Sequence, residues 1–399
     1  MLRWAQPYWR TINQLAFIAV FGYLFYGLAW GFIQYLWDTL RGHGVITDIV
    51  NPLSEKEYYK IILTIVGVLI PVLTLWEIFW FFGNTLNNER SGTWNGAKFM
   101  RILRRVSVEY RPTFFAAMFG DLLTRFIVID VFWHWLPAFK KLSFFTIGNQ
   151  WYAWIYAWLA WELSTWVWHF GAHKIRLFWC LHSPHHAPQQ FNMTVAWVHF
   201  FAEGYVTAVI QLVILMTLGV SPTMLVVIMS FEPVWGTFIH AGERSFKTGR
   251  LGVMRYFVIT PSYHRVHHGK NPLYMDTNFC TMLPVWDWLF GTLQPLRDEV
   301  KLEYGITRPM DSTHFLDFYF GEIYLLGRDL RNAKSWMDRL LYLVKPPGWT
   351  PEGVDHTAAT MRREFLRDQP GLALSSKRQL LRQMFPSLWP PPSGSTVRP

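Results

Sequence analysis

Long apolar segments alternate with shorter polar ones over the first two thirds of the chain. A membrane-spanning helix needs about 20 mostly apolar residues, and residues 14–37 supply such a window without a single charge. Residues 61–82 form a second window, which only Glu77 interrupts. We therefore predict two spanning helices in this region. The first begins late and no small-residue cleavage site follows it, so we interpret it as a retained helix rather than a signal peptide.

Four more apolar windows follow. Residues 113–136 carry several ionisable side chains, so this helix either crosses the membrane within a bundle or lies at the interface. Residues 149–168 are rich in tryptophan, which suits a headgroup belt as well as a core. Residues 200–218 and 223–239 are separated by the turn GVSPT. Because that connection is tight, we predict an antiparallel helical hairpin.

The distribution of basic residues predicts the orientation of these helices. Residues 84–112 contain six lysines and arginines, whereas residues 38–59 contain two against four acids. By the positive-inside tendency, the N-terminus and the 84–112 loop are cytoplasmic. Counting the crossings onward places the ends of the later helices, at His169, His199 and His240, on that same face.

Composition supports this reading. The chain is 51% hydrophobic and 18% aromatic with only 16% charged residues and 23 tryptophans, a profile typical of a surface that meets lipid. The net charge of +10 lies in loops and near the C-terminus, so it favours anionic lipid headgroups, and we expect no nucleic-acid partner. Two cysteines, Cys180 and Cys280, exclude a disulfide framework or a thiolate zinc ribbon.

Histidines are clustered at these predicted helix ends, in HFGAH, HSPHH, FIHAGE and HRVHH. On a helix, residues at i, i+3 and i+4 share one side, so each cluster can direct its imidazoles to a common point. Imidazole suits iron, copper, zinc and nickel, and this many ligands exceed the needs of one ion, so two metals are implied. A lone histidine is more often a hydrogen-bonded core residue, but three clusters on one side of a membrane favour metal binding. The candidate ligands are His169, His173, His182, His185, His186, His240, His264, His267 and His268.

Polar residues close to these clusters in sequence could orient the imidazoles by accepting their second N–H. Each could equally be a helix cap or a turn former. His199 opens an apolar window without a partner at ligand spacing, and we interpret it as a supporting or structural residue. The candidates are Asp276, Asn278, Asp287, Glu203, Glu243 and His199.

The order of these clusters resembles the fatty acid hydroxylase and sterol desaturase superfamily of membrane di-iron oxygenases. PSYHRVHHGKNPLYMDTNFCTMLPVWDWLFGTL is particularly similar to the alkylglycerol monooxygenase branch, with Cys280 in place of a glycine. The resemblance covers residues 169–293. Relatives commonly have an arginine after the second cluster, where this chain has Trp197.

The resemblance implies a non-haem centre of two iron ions that uses O2 to hydroxylate or desaturate a membrane lipid, such as a fatty acyl, alkyl-ether or sterol substrate. No dinucleotide, phosphate-loop or haem motif is visible, so electrons must come from a separate redox protein or a diffusible reductant; tetrahydrobiopterin follows from the resemblance alone. A membrane zinc-dependent hydrolase acting on a lipid remains an alternative. An ion transporter is a third, but its polar residues would have to cross the bilayer midplane.

We therefore predict an all-α, polytopic membrane helix bundle with a cytoplasmic histidine-rich di-metal cap. Residues 1–112 would hold N-terminal membrane helices and the basic loop, and residues 113–297 the catalytic domain with the histidine clusters. Residues 298–399 would form a cytoplasmic cap that includes a helical run at 321–344 and ends in a disordered tail. The short loops favour a bacterial inner membrane, with the endoplasmic reticulum as the alternative.

Overall fold

Helices account for the regular secondary structure of the residues that the structure describes. The computed structural model describes residues 69–81, 96–97, 100–105, 110–117, 119–120, 138–148, 150–310, 314–353 and 355–372. From residue 151 onward we label the α-helices α1 Trp151–Lys174, α2 Arg176–His186, α3 Glu203–Thr217, α4 Pro222–Ile239, α5 Pro261–His267, α6 Val285–Phe290, α7 Phe315–Asn332, α8 Trp336–Val344 and α9 Ala358–Asp368. Short 3-10 turns lie at Lys140–Leu142, Met193–Trp197, Gly252–Tyr256 and Pro370–Leu372. The all-α prediction is confirmed for this part of the chain.

The largest apolar core lies between α1, α3 and α4. On α1 the small side chains of Ala153, Ala157 and Ala160 are buried at helical spacing, which lets the neighbouring helices approach closely. Leu212 and Leu215 of α3 fill the space against them, together with apolar residues of α4. The three helices therefore form a bundle whose contact surface follows the 3.6-residue period.

The predicted turn between α3 and α4 lies at GVSPT, but both helices pack against α1 rather than closely against each other. Gly219 ends α3 with a φ of 69°, a backbone conformation that glycine adopts without steric cost. Ser221 then accepts a hydrogen bond from Met224 N at 3.3 Å, and Pro222 occupies the first turn, so the sequence GVSPT stops one helix and starts the next.

Glu77, which interrupts the second apolar window, has a structural role. Its carboxylate accepts hydrogen bonds from Met193 N at 2.5 Å, Gly242 N at 2.8 Å and Ser245 Oγ at 2.7 Å. Because a buried carboxylate needs such partners, it ties helical residues 69–81 to the loops on either side of α3 and α4. One of those loops directly follows His240.

The C-terminal region packs on α2 through α7. Arg176 pairs with Asp329 at 2.5 Å, and the Tyr319 hydroxyl donates to His199 O at 2.8 Å. The predicted helical run at 321–344 is two helices rather than one. It breaks because Ser335 caps α8 by accepting a hydrogen bond from Asp338 N at 3.0 Å.

Among the described residues, no helix is both long enough and apolar enough to cross a bilayer. The predicted span at 14–37 and the predicted disordered tail lie outside the described residues, and the windows at 61–82 and 113–136 lie partly outside them. The windows at 149–168, 200–218 and 223–239 correspond to α1, α3 and α4.

Candidate metal centre

The structure brings all nine candidate histidines into two adjoining groups, and every one of them is buried. Within each group, one possible ligand atom from each residue lies within 4.8 Å of the others. The side chains come from α1, α2, the loop after α4, and α5. The five-histidine group is His169, His173, His182, His186 and His267, and the four-histidine group is His185, His240, His264 and His268.

The Nε2 atoms converge at the spacing of ligands around a metal ion. In the five-histidine group, Nε2 of His182 lies 3.1 Å from that of His169 and 3.2 Å from that of His186. In the four-histidine group, Nε2 of His264 and His240 lie 2.9 Å apart. Ligands at about 2.0–2.1 Å from one ion are separated by roughly 2.9 Å at a right angle and 3.4 Å at a tetrahedral angle. The observed separations fall within this range.

Hydrogen bonds at the opposite ring nitrogen select the tautomer that leaves Nε2 unprotonated. His169 Nδ1 donates to Phe279 O at 2.8 Å, and His267 Nδ1 donates to Thr277 O at 2.8 Å. In the four-histidine group, His240 Nδ1 donates to Gly236 O at 2.6 Å and His185 Nδ1 donates to Val198 O at 3.2 Å. A neutral ring that donates through Nδ1 presents a lone pair at Nε2.

The donor set fits a bound cation. The Nε2 atoms of His173 and His267 are buried, and no hydrogen-bond partner for them is found among the described residues. Lone pairs that face one another at about 3 Å without an intervening proton repel, and a metal ion between them removes that repulsion. Two such groups can hold two ions, so the residues present fit the predicted pair of metals. Their role as ligands stays a prediction.

Burial also favours the neutral form of eight of the nine rings, and the neutral form is the one that binds metal. Loss of solvent lowers the pKa of His240 and of His267 to about 3. In six further rings, loss of solvent is the first cause of a lowered pKa, and repulsion from neighbouring imidazoles adds to it. The pKa values lie well below the usual 6.5 for His169, His173, His185, His186, His264 and His268.

Glu203, the first residue of α3, joins two histidines through one carboxylate. His182 Nδ1 donates to Oε1 at 2.6 Å, and His199 Nδ1 donates to Oε2 at 2.9 Å. The His199 ring stacks on His185 of the four-histidine group, with centroids 4.6 Å apart. Carboxylates in this position raise the basicity of a ligating imidazole and fix its orientation. Both residues therefore contact the cluster, as the sequence suggested they could.

Two other polar candidates, Asp276 and Asp287, lie near the histidines, one beside a ring and one behind a backbone peptide. Asp276 pairs with Lys174 and lies 3.4 Å from Nδ1 of His173. Asp287 accepts from Phe279 N and Cys280 N, both at 2.8 Å, and so fixes the peptide whose carbonyl receives His169.

Asn278 and Glu243 make no hydrogen bond or ion pair with a candidate ligand among the described residues. The Asn278 side chain donates to Tyr263 O at 3.0 Å and accepts from Gln294 N at 2.7 Å, which fastens α5 to the loop after α6. Glu243 accepts from the Tyr304 hydroxyl.

Two charged residues were not singled out from the sequence, although they hold the cluster's loops. Arg265 is fully buried inside HRVHH and donates to Ala241 O at 2.6 Å and to Phe246 O at 2.7 Å, which positions the loop after His240. Glu162 on α1 accepts from Met282 N at 2.9 Å. The available signal was a charge inside an apolar stretch for Glu162 and a charge between candidate ligands for Arg265.

Two cavities reach the histidines from different sides. The first, of about 380 Å³, runs between α1, α3 and α4, where it is lined by histidines of both groups and then by apolar residues. Along α4 its lining extends from His240 to Leu225, a distance of about 22 Å at 1.5 Å per residue. The second, of about 270 Å³, lies between His173 and C-terminal residues that include Pro346 and His356.

Comparison with known proteins agrees with this geometry. Residues 154–292, which include all nine candidate histidines, match the family model named Fatty acid hydroxylase. This segment of the chain is therefore similar to the fatty acid hydroxylase family. The resemblance inferred from the order of the clusters is confirmed.

Among curated proteins the chain is similar to alkylglycerol monooxygenases. It is 27% identical to alkylglycerol monooxygenase of Xenopus tropicalis over 220 residues, which are 50% of this chain and 47% of that protein. It is 25% identical to the Homo sapiens enzyme of that name over 219 residues, 55% of this chain and 43% of that protein. The chain therefore spans about half the length of the curated relatives that it matches.

A shorter part of the chain is also similar to a plant protein. A very-long-chain aldehyde decarbonylase from Oryza sativa subsp. indica is 31% identical over 142 residues, 31% of this chain and 21% of that protein. No solved structure gives a significant match.

Proposed function

We propose that this protein is a non-haem di-iron oxygenase that uses O2 to hydroxylate a membrane lipid. The observation that carries the proposal is the direct opening of the first cavity onto both histidine groups. Bound iron would supply the redox chemistry for oxygen activation, which side chains alone cannot provide. Similarity to alkylglycerol monooxygenases supports the reaction class.

The imidazole ligands of the two histidine groups suit iron, as they suit other metals of intermediate softness. Neutral imidazoles leave the positive charge of the ions largely uncompensated, unlike the glutamate-rich sites of ferritin-like bundles. The five-histidine group would hold one ion and the four-histidine group the other. Glu203 would keep His182 and His199 in fixed orientations while the cluster changes charge.

The walls of the first cavity favour an extended apolar substrate. Beyond the histidines they are formed by residues such as Leu212, Leu215, Leu225 and Met229. These side chains would exclude water from the reacting carbon and align a hydrocarbon chain beside the cluster. A fatty acyl, alkyl-ether or sterol lipid fits this description, and desaturation of the same substrate is a close variant.

Insertion of one oxygen atom into a C–H bond, with reduction of the other to water, consumes two electrons and two protons from outside the lipid. A separate redox protein or a diffusible reductant would supply them. The second cavity approaches the five-histidine group at His173 without entering the apolar bundle, so it offers a separate route. Tetrahydrobiopterin stays a suggestion from the resemblance alone.

We further propose that the enzyme is an integral, multi-pass membrane protein whose histidine site faces the cytoplasm, in a bacterial inner membrane or alternatively the endoplasmic reticulum. In this proposal residues 1–112 provide N-terminal membrane helices, residues 113–297 the catalytic domain and residues 298–399 the cap. The charge asymmetry between residues 38–59 and 84–112 supports the orientation.

Metal content and oxygen-dependent lipid analysis test the proposal together. Protein purified in detergent from iron-replete cells should hold about two irons per chain, and membranes containing it should accumulate a lipid heavier by one oxygen atom only when O2 is present. His267→Ala should remove both signals. His314→Asn, a change at a helix cap outside both histidine groups, should remove neither.

Zinc in place of iron, with no oxygen-dependent product, would refute the oxygenase and favour a metal-dependent hydrolase, because imidazole ligands alone also suit zinc. An unchanged metal content in His267→Ala would instead show that this residue is not a ligand.

A further inference from the structure

The first cavity contains polar side chains that lie away from the histidines. Thr165 on α1, Gln211 on α3 and Glu232 on α4 all line it, among mostly apolar neighbours. Glu232 precedes His240 by two turns of α4, an offset of about 12 Å along the helix axis. A ligand atom must lie within about 2 Å of its ion, so at this offset Glu232 is too far along α4 to bind the same ion as His240. It can instead contact a molecule that occupies the cavity.

Glu232, which is only partly buried, differs from the buried carboxylates Glu77 and Glu162. Glu162 and Glu77 each accept backbone N–H groups and thereby hold loops in place. Glu232 makes no hydrogen bond or ion pair with any described residue. A carboxylate that lines a mostly apolar cavity without a hydrogen-bond partner is unfavourable, and its attraction to His199 offsets this only in part. A structural role leaves its presence unexplained, whereas a hydrogen-bond donor on a bound molecule would satisfy it.

Thr165 and Gln211 add further polar groups to the lining of the same cavity. Gln211 Nε2 donates to Thr165 Oγ1 at 3.1 Å. That bond leaves the Thr165 hydroxyl proton and the Gln211 carbonyl oxygen without partners among the described residues. The cavity therefore offers acceptors at Glu232 and Gln211 and a donor at Thr165. A hydroxyl group both donates and accepts, whereas an ammonium group only donates and a carbonyl only accepts.

We propose that Glu232 is a specificity-determining residue that accepts a hydrogen bond from a hydroxyl group of the lipid substrate. This inference rests on the proposed function, because it assumes that the first cavity holds the lipid. It narrows the substrate class to lipids that carry a free hydroxyl. Long-chain alcohols, hydroxylated ethers and sterols meet this condition, and fully apolar chains do not.

Retention of hexadecanol and of hexadecane by the detergent-purified, metal-loaded protein tests the proposal. The two probes share a chain length and differ only in the hydroxyl. The wild type should retain the alcohol at an at least roughly tenfold lower concentration, as expected for a hydrogen bond to a charged group. Glu232→Leu should abolish this preference and still retain the alkane. Glu232→Gln, whose carbonyl can accept, should keep part of it.

Glu364→Leu is the matched control, since it makes the same chemical change at an exposed position of α9 and should leave the preference intact. Metal content and thermal unfolding establish that each variant is folded. An unchanged preference in Glu232→Leu would overturn the proposal. Equal retention of both probes by the wild type would overturn it while leaving the lipid cavity in place. Retention of neither probe would refute the cavity assignment, and the proposed substrate class with it.

Discussion

Replacing Glu203 by glutamine would separate the electrostatic role of this residue from its shape. The carboxylate accepts from His182 Nδ1 at 2.6 Å and from His199 Nδ1 at 2.9 Å. A glutamine side chain offers one carbonyl oxygen, so one imidazole must face an N–H group instead. Loss of a hydrogen bond to a charged group costs about 1.5–3 kcal/mol. We therefore expect metal affinity to fall by roughly 10- to 100-fold, the range observed when such supporting contacts are removed.

Competition with a chelator of known affinity measures this change in the purified protein. Glu243→Gln is the matched control, because Glu243 bonds Tyr304 and no candidate ligand among the described residues. The double variant Glu203→Gln, His199→Ala provides a sharper test. With only one N–H donor left, the glutamine carbonyl can turn to His182, so the double variant should bind metal more tightly than Glu203→Gln alone. Equal affinity of Glu203→Gln and the wild type would refute the reasoning.

Three other outcomes follow from the same geometry. Asp287→Ala should lower the free energy of unfolding by about 2–5 kcal/mol, since it leaves the buried N–H groups of Phe279 and Cys280 unsatisfied, whereas the exposed Asp298→Ala should change it by less than about 0.5 kcal/mol in the same denaturant titration. Chelation should lower the melting temperature, and iron should restore it, because bound ions stabilise only the folded cluster; an unchanged melting temperature would contradict the site. The metal-free protein should lose stability as pH falls from about 6.5 towards 3. In the unfolded chain His240 and His267 bind protons over this interval, whereas in the folded state their pKa values of about 3 keep them unprotonated. Stability that rises over this interval in calorimetry would show that the rings are charged when buried.

The sequence was sufficient for the helical positions of the histidines, because helix geometry fixes which neighbours share a face. It also indicated the turn between α3 and α4, since turn chemistry is local. It did not indicate how the C-terminal region meets the cluster, because contacts such as Tyr319 to His199 O join residues far apart in the chain. The break before Ser335 has a local signal, an N-cap serine followed by Asp338, which the longer apolar periodicity of the run concealed.

Buried acids were the least predictable part of the fold. Glu77 and Glu162 interrupt apolar windows, and from sequence alone such residues only weaken the prediction of an apolar helix. In the structure each one accepts backbone N–H groups from a distant loop, at Gly242 and Met282 respectively. These pairings depend on how the helices pack, so spacing along the chain could not identify them.

The second and third histidine motifs, HSPHH and HRVHH, divide their histidines between the two groups in opposite ways. The spacing along the chain did not predict which histidine belongs to which group. In HSPHH, His182 and His186 join the five-histidine group, while His185 joins the other. In HRVHH the i and i+4 residues, His264 and His268, join the four-histidine group, and the i+3 residue crosses to the five-histidine group. On a helix the i+4 side chain is rotated from i by about 40° and the i+3 side chain by about 60° in the opposite direction. HSPHH and HRVHH therefore each direct two histidines to one group and one histidine to the other, so neither group is complete without both motifs.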